Sequence, residues 1–96
     1  MRKYDMTYSE LLSQHLRYIE EQKALGRKGV EFEIEGIDSG SHKSMALTFK
    51  SKGYRMIEKF ECYTNWQTEE FKTTSYFRLW WNKEDDQYAT NRKEFE

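Results

Sequence analysis

Three side chains in the sequence have the chemistry of catalytic or metal-binding groups: His15, His42 and the single cysteine, Cys62. A nucleophilic cysteine needs a histidine within hydrogen-bonding distance and a third group that orients that histidine. The spacing of these residues does not require them to meet. The sequence also lacks a glycine-rich phosphate loop, a G-x-S-x-G elbow, an H-E-x-x-H helix and a C-x-x-C pair. We therefore predict that the protein is not an enzyme and has no metal site and no cofactor.

Each of these residues has an ordinary structural interpretation. His15 falls on the apolar stripe of a predicted helix, which favours a histidine in or beside the core. His42 lies between Ser41 and Lys43 in a polar segment and is predicted to be solvated. Cys62 is interpreted as a small, half-buried strand residue.

Three glutamates form an acidic strip: Glu31, Glu33 and Glu35 alternate with apolar residues. Side chains two positions apart on a strand lie about 6.6 Å apart, too far for neighbouring glutamates to share one ion without a further ligand. Two interpretations remain open. The acidic strip is either a solvated face that discourages edge pairing or a surface that meets a basic partner.

Aromatic residues are concentrated in the C-terminal half, where nine of the sixteen fall between Tyr54 and Trp81. Alternation along strands sends some of these rings to the side of the sheet that faces away from a helix. Exposed tryptophan and tyrosine dominate protein interfaces. The alternative is that the polar C-terminal tail covers this second face through Tyr88 and Phe95. The predicted partner-binding residues are Tyr63, Trp66, Tyr76, Arg78 and Trp80, with the acidic strip as an electrostatic flank.

The predicted function is that of a small non-catalytic protein-binding module that acts by occupying a partner's surface. In size, aromatic content and lack of proline the chain resembles phage-encoded or toxin-linked inhibitors and immunity-type proteins. A homodimer through the same face is an open alternative. A second alternative is single-stranded nucleic-acid binding, because aromatics are interleaved with basic residues. Those basic residues are Lys43, Lys50, Lys52, Arg55, Lys59, Lys72 and Arg78. A formal net charge of −1 and the lack of a ribonucleoprotein motif favour a protein partner.

The elements that position these residues follow from periodicity. Thr7 and Glu10 form a capping box, and apolar residues at three- and four-residue intervals predict a helix over about 8–25, which Gly26 ends. Alternation predicts strands over about 30–36 and 43–50. Between the second strand and the next element, Gly53 is predicted to occupy a left-handed position in a hairpin connection.

Two further segments complete the predicted fold. Residues 54–66 fit either a strand or a helix. In a strand, Glu58 falls on the apolar face unless a bulge redirects its side chain. We favour a strand over 54–64, followed by a strand over 71–81 and a polar tail over 82–96. The prediction is a single α+β domain, residues 1–96, with one N-terminal helix packed on a four-stranded antiparallel meander. This element order is similar to that of cystatin-like folds and of several small immunity-type proteins.

The amino-acid composition excludes several classes of protein. The 96 residues have a mean hydropathy of −1.08 and no long apolar run, which excludes a membrane-spanning helix. The near-neutral charge excludes a strongly basic nucleic-acid clamp. A single cysteine, and an N-terminus without an apolar signal segment, predict a cytoplasmic protein.

Overall fold

The computed structural model of the protein describes residues 7–87. Two helices and three strands follow one another, and a short 3-10 helix ends this part of the chain. The elements are α1 (Tyr8–Ala24), β1 (Gly29–Glu35), α2 (Ser39–Ser51), β2 (Arg55–Asn65), β3 (Glu70–Trp80) and the 3-10 helix (Lys83–Asp85). The α+β class is as predicted. The meander of four strands is wrong, because the sheet has three strands and a second helix occupies the position of the predicted strand over 43–50.

The N-terminal helix confirms its predicted signals. The hydroxyl of Thr7 accepts a hydrogen bond from the Glu10 amide, and the Glu10 carboxylate accepts one from the Thr7 amide, which completes the capping box. At the other end Gly26 has a φ of 84°. This left-handed residue lets the amide of Arg27 donate to the carbonyl of Gln22, so the helix closes in a Schellman motif.

The second helix, α2, is the main correction to the sequence-based fold. Asp38 caps it by accepting a hydrogen bond of 2.7 Å from the Ser41 amide. Gly53, at φ 89°, is left-handed as predicted but ends a helix, and does not turn a hairpin. The residues that α2 buries recur at helical spacing, whereas Leu47, which a strand would bury, is exposed. The buried residues are His42, Met45, Ala46 and Phe49.

The sheet has the strand order β1-β3-β2, with both pairings antiparallel. The last strand therefore inserts between the first two, which differs from the cystatin-like meander. The segment 54–66 is a strand, as favoured. Its register with β3 runs unbroken from Arg55 opposite Trp80 to Asn65 opposite Glu70, so the bulge suggested at Glu58 does not form.

The two sides of the sheet differ. One side, here called the helix face, packs against α1 and α2 and forms the core with them; the opposite side is called the open face. The core residues are Ile19, Val30, Ile34, Met45, Ala46, Phe49, Tyr54, Phe77 and Leu79. Neither helix between residues 7 and 87 has the length and apolar character needed to cross a membrane. Tyr88 and Phe95, the residues proposed to cover the open face, lie outside the described residues.

Candidate interaction surface

The strands β2 and β3 form a long hairpin that the helices cover only in part. Each strand has 11 residues and is therefore about 34 Å long. On the helix face, Phe77 and Leu79 near the base of the hairpin are fully buried. Cys62, Thr64 and Phe71 lie on the same face nearer the turn and are exposed. The hairpin therefore projects beyond the helices.

The turn at the end of the hairpin is held by a side chain. The Asn65 Oδ1 atom accepts hydrogen bonds from the amides of Gln67 (3.0 Å) and Thr68 (3.4 Å). Glu69 closes the turn in the left-handed region with a φ of 60°. This local structure presents Trp66 at the extreme end of the hairpin.

Three large rings surround this end, and we call them the hairpin-tip aromatics: Tyr63, Trp66 and Phe71. Their exposed fractions are 58%, 86% and 66%. Tyr63 lies on the open face opposite Lys72, whereas Phe71 lies on the helix face opposite Thr64. The tip therefore offers apolar area on both sides of the hairpin, in a form that another surface can enclose.

Four of the five predicted partner-binding residues lie on the same face of the sheet. Tyr63, Tyr76, Arg78 and Trp80 all lie on the open face, and Trp66 lies in the turn. Their accessibility differs sharply, because Arg78 is 4% exposed and Trp80 is 5% exposed. The structure therefore separates an accessible end of the hairpin from a buried base.

At the buried base of the hairpin, Arg78 and Trp80 donate hydrogen bonds to side chains of other segments. Arg78 Nε donates to Glu31 Oε1 at 2.9 Å. Trp80 Nε1 and Arg55 Nε each donate to Asp86 Oδ1 at 2.5 Å. These bonds, led by the one from Arg55, lower the pKa of the Asp86 carboxyl. Arg78 and Trp80 thus have intramolecular roles.

The middle of the open face carries a second set of polar contacts. Tyr76 donates a hydrogen bond to Glu61, and this bond together with burial raises the pKa of the Tyr76 hydroxyl. Within the acidic strip, Glu31 is engaged by Arg78. Glu33 and Glu35 are exposed on the open face of β1, opposite Tyr76 and Thr74.

On the helix face, His42 and Glu58 form a pair that sequence reasoning missed. The side chain of His42 is only 5% exposed, which corrects its prediction as a solvated residue. Its Nε2 atom lies 2.5 Å from Glu58 Oε1, and its ring stacks on Phe77 at a centroid distance of 4.8 Å. Phe60 packs against the ring from another side at 5.2 Å. The ring of His42 is therefore part of the packing between α2 and the sheet.

The other two candidate groups are His15 and Cys62. The His15 ring bonds to the Leu11 carbonyl at 2.9 Å and packs on Phe32, beside the core. Cys62 is a free, exposed thiol, more exposed than its half-buried prediction. Among residues 7–87, no three His, Cys, Asp or Glu side chains come together as ligands for a metal ion.

The seven basic residues considered for single-stranded nucleic-acid binding are divided between the helix layer and the open face of the sheet. Lys43 and Lys50 lie on α2 and Lys52 is its C-cap, which puts them in the helix layer, across the sheet from Tyr63 and Tyr76. On β2, Lys59 pairs with Glu61 at 3.4 Å. Arg55, Lys59, Lys72 and Arg78 lie on the open face with Tyr63, Tyr76 and Trp80, and there Arg55 also bonds to Asp86 and Arg78 to Glu31.

Phe71 is an exposed aromatic of the hairpin tip that was not among the residues predicted to bind a partner. Its position in the alternation of β3 assigns it to the helix face, and the register confirms that face. It is exposed because the helices do not extend that far along the hairpin. Its position in the sequence could have indicated this exposure. Phe71 directly follows the charged pair Glu69 and Glu70 beside the turn, so it lies far from the centre of the sheet.

No protein-family model and no curated protein matches the sequence, and no solved structure matches the protein.

Proposed function

We propose that this protein is a non-catalytic binding module that engages another protein through the hairpin-tip aromatics. The observation that carries the proposal is the exposure of Tyr63, Trp66 and Phe71 at the end of a projecting hairpin. Rings of this kind combine large contact area with few rotatable bonds, so they lose little entropy when a partner encloses them. The module acts by occupying the partner's surface, as an inhibitor or an immunity-type protein does.

The charges around the tip favour a protein over nucleic acid as the partner. Glu69 and Glu70 lie in the tip turn and at the start of β3, with one cation, Lys72, two residues farther on, and Glu61 is already paired with Lys59. Phosphate groups would be repelled by this arrangement, and phosphate contacts supply most of the affinity of non-specific nucleic-acid binding. A partner with a concave apolar site rimmed by basic residues fits the tip better.

The buried base of the open face gives the tip a rigid support. The bonds of Arg78 to Glu31 and of Trp80 to Asp86 fix β3 to β1 and to the segment after the sheet. An ordered hairpin loses less conformational freedom on binding than a flexible loop. In this proposal Tyr76, Arg78 and Trp80 support the contact surface, and Tyr63 and Trp66 belong to it.

The test is photo-crosslinking with a benzophenone side chain placed at position 66, in lysate treated with nuclease, followed by affinity measurement with the protein that is captured. The double variant Trp66→Ala/Phe71→Ala should weaken that complex about 30-fold, the effect of losing a strong interface anchor. The unfolding midpoint should be unchanged, because both side chains are exposed.

The matched control is Leu47→Ala, which removes an equally exposed apolar side chain from α2, away from the hairpin. This variant should bind like the wild type. Equal weakening by the control and by the double variant would refute a specific role of the tip. A complex that nuclease destroys, with an affinity that falls steeply with salt, would replace the proposal by nucleic-acid binding.

A further inference from the structure

The outer side of β2 has no neighbour in the sheet. The strand order puts β2 at an edge, and no strand within residues 7–87 pairs with its outer side. The strand has 11 residues, no proline and no bulge, so two of the devices that blunt a long edge are missing. The strand does carry charges, but Lys59 and Glu61 have opposite signs, so a second copy can meet them as attractive pairs.

The hydrogen-bonding direction of each residue on this edge follows from one observed bond. The Gly36 amide donates to the Thr73 carbonyl at 3.0 Å, so odd-numbered residues of β3 bond toward β1 and even-numbered ones toward β2. The register then makes the odd-numbered residues of β2 bond to β3. The even-numbered residues direct their amides and carbonyls outward: Met56, Glu58, Phe60, Cys62 and Thr64.

This outward set is symmetric about Phe60, the middle residue of β2. If two copies of the strand run antiparallel with Phe60 opposite Phe60, the five outward residues of each copy meet the five of the other. That pairing makes about ten backbone hydrogen bonds, and moving the centre by one residue reduces them to about eight.

The side chains favour the same register. With Phe60 at the centre, Lys59 lies opposite Glu61 of the second copy, and Ile57 lies opposite Tyr63 of the second copy. These are non-hydrogen-bonded pairs, in which side chains are closest, and opposite charges in such pairs attract. A centre at 59 would put Lys59 against itself, and a centre at 61 would put Glu61 against itself.

We propose that two copies of this protein associate through antiparallel pairing of their β2 edges, centred on Phe60, to form a continuous six-stranded sheet with the strand order β1-β3-β2-β2-β3-β1. The occupant of the edge is thus a second copy of this chain. Tyr63 belongs to both this association and the proposed partner contact, whereas Trp66 and Phe71 lie outside the paired β2 strands and distinguish the two contacts.

The test is sedimentation equilibrium over a range of concentrations. The wild type should show a mass of twice 11.8 kDa. Lys59→Glu and Glu61→Lys should each raise the dissociation constant about tenfold, because each converts two attractive cross-strand pairs into repulsive ones. The double variant Lys59→Glu/Glu61→Lys restores both pairs and should dimerise like the wild type. Lys43→Glu makes the same charge change at an exposed position of α2 and should not change the dissociation constant.

A second variant removes an outward amide without touching the bonds to β3. Cys62→Pro is compatible with an edge strand, where proline is tolerated if its nitrogen faces outward, and should give a folded monomer. A wild type that stays monomeric at millimolar concentration refutes the proposal, and a double charge variant that stays dissociated refutes this register. Trp66→Ala/Phe71→Ala should remain dimeric, which separates a failure of this inference from a failure of the partner contact.

Discussion

The pair of His42 and Glu58 connects α2 to β2 on the helix face, with a histidine side chain that is 5% exposed and a glutamate side chain that is 42% exposed. Glu58 lies on the apolar side of an edge strand, and His42 lies on the buried stripe of the helix that covers it. Phe60 and Phe77 enclose the histidine ring. Its Nδ1 atom has no hydrogen-bond partner among the described residues, so the bond to Glu58 is the main compensation for burying this ring.

We predict that Glu58→Ala lowers the free energy of unfolding by about 2 kcal/mol, because it leaves a buried imidazole without its partner. The double variant His42→Phe/Glu58→Leu should unfold within about 1 kcal/mol of the wild type, since replacing both partners of a hydrogen bond by apolar groups can be nearly neutral. Urea denaturation measures both values. Lys72→Ala, at an exposed position of β3, is the control, and a loss in Glu58→Ala no greater than in this control would contradict the prediction.

The same pair shows why single residues were misread from the sequence. His42 appeared solvated because the segment after it was assigned to a strand, which left it in a loop. Glu58 appeared out of place because its partner was missing from the apolar face. The two residues lie 16 positions apart, and only the packing of α2 on β2 brings them together. Sequence periodicity assigned the face of Glu58 correctly but could not supply the contact.

At the level of elements, α2 is the segment where two periodicities competed. Met45, Leu47 and Phe49 alternate, as in a strand, whereas Met45 and Phe49 also fit a helical stripe that begins at His42 and includes Ala46. Short apolar runs do not distinguish the two structures by themselves. The Asp38 cap and the position of Gly53 one helix length later were the deciding signals, and Gly53 was interpreted as part of a hairpin connection.

The turn at the tip of the hairpin contains a residue with a left-handed backbone, and its cost to stability can be tested by mutation. Glu69 adopts φ 60°, a conformation that costs a residue with a Cβ atom about 1 kcal/mol relative to glycine. Glu69→Gly should therefore raise the free energy of unfolding by at most about 0.5 kcal/mol, after subtraction of the cost of the flexibility that glycine adds to the unfolded chain. Chemical denaturation measures the change.

The control for this turn is the neighbouring residue. Glu70 begins β3 in an extended conformation, where glycine gains nothing, so Glu70→Gly should lower the free energy of unfolding. A loss of stability in both variants would show that the Glu69 side chain contributes more than its backbone strain costs.

At the scale of the whole molecule, the face of a residue was predictable and its exposure was not. Alternation correctly placed Tyr76, Arg78 and Trp80 on one side of β3. The burial of Arg78 and Trp80 depends on Glu31 and Asp86, which come from segments on either side in the chain. Phe71 shows the reverse case, since it lies on the helix face where the helices no longer reach. Both outcomes depend on strand order and helix length, which local patterns do not contain.

Asp86 holds two paired strands together at the base of the hairpin, because it accepts hydrogen bonds from Arg55 at the start of β2 and from Trp80, its partner at the end of β3. These bonds favour its ionised form and lower its pKa below the ordinary value of 3.8. A carboxyl with a lowered pKa in the folded state adds stability above the pKa of the unfolded chain and loses it as the pH falls through the folded pKa. The contribution of Asp86 is therefore complete at neutral pH and disappears in acid.

We predict that Asp86→Asn lowers the thermal midpoint at neutral pH, because the neutral amide accepts more weakly from the Arg55 guanidinium. As the pH falls below 3.8, the wild type should lose stability more steeply than the variant, and the two curves should converge once Asp86 is protonated. Glu84→Gln, an exposed carboxyl in the adjacent 3-10 helix, is the control and should follow the wild-type curve. Parallel curves for the wild type and Asp86→Asn across the acid range would show that the charge of Asp86 does not hold the base of the hairpin, and the rigid support for the hairpin-tip aromatics would then rest on the bond between Arg78 and Glu31.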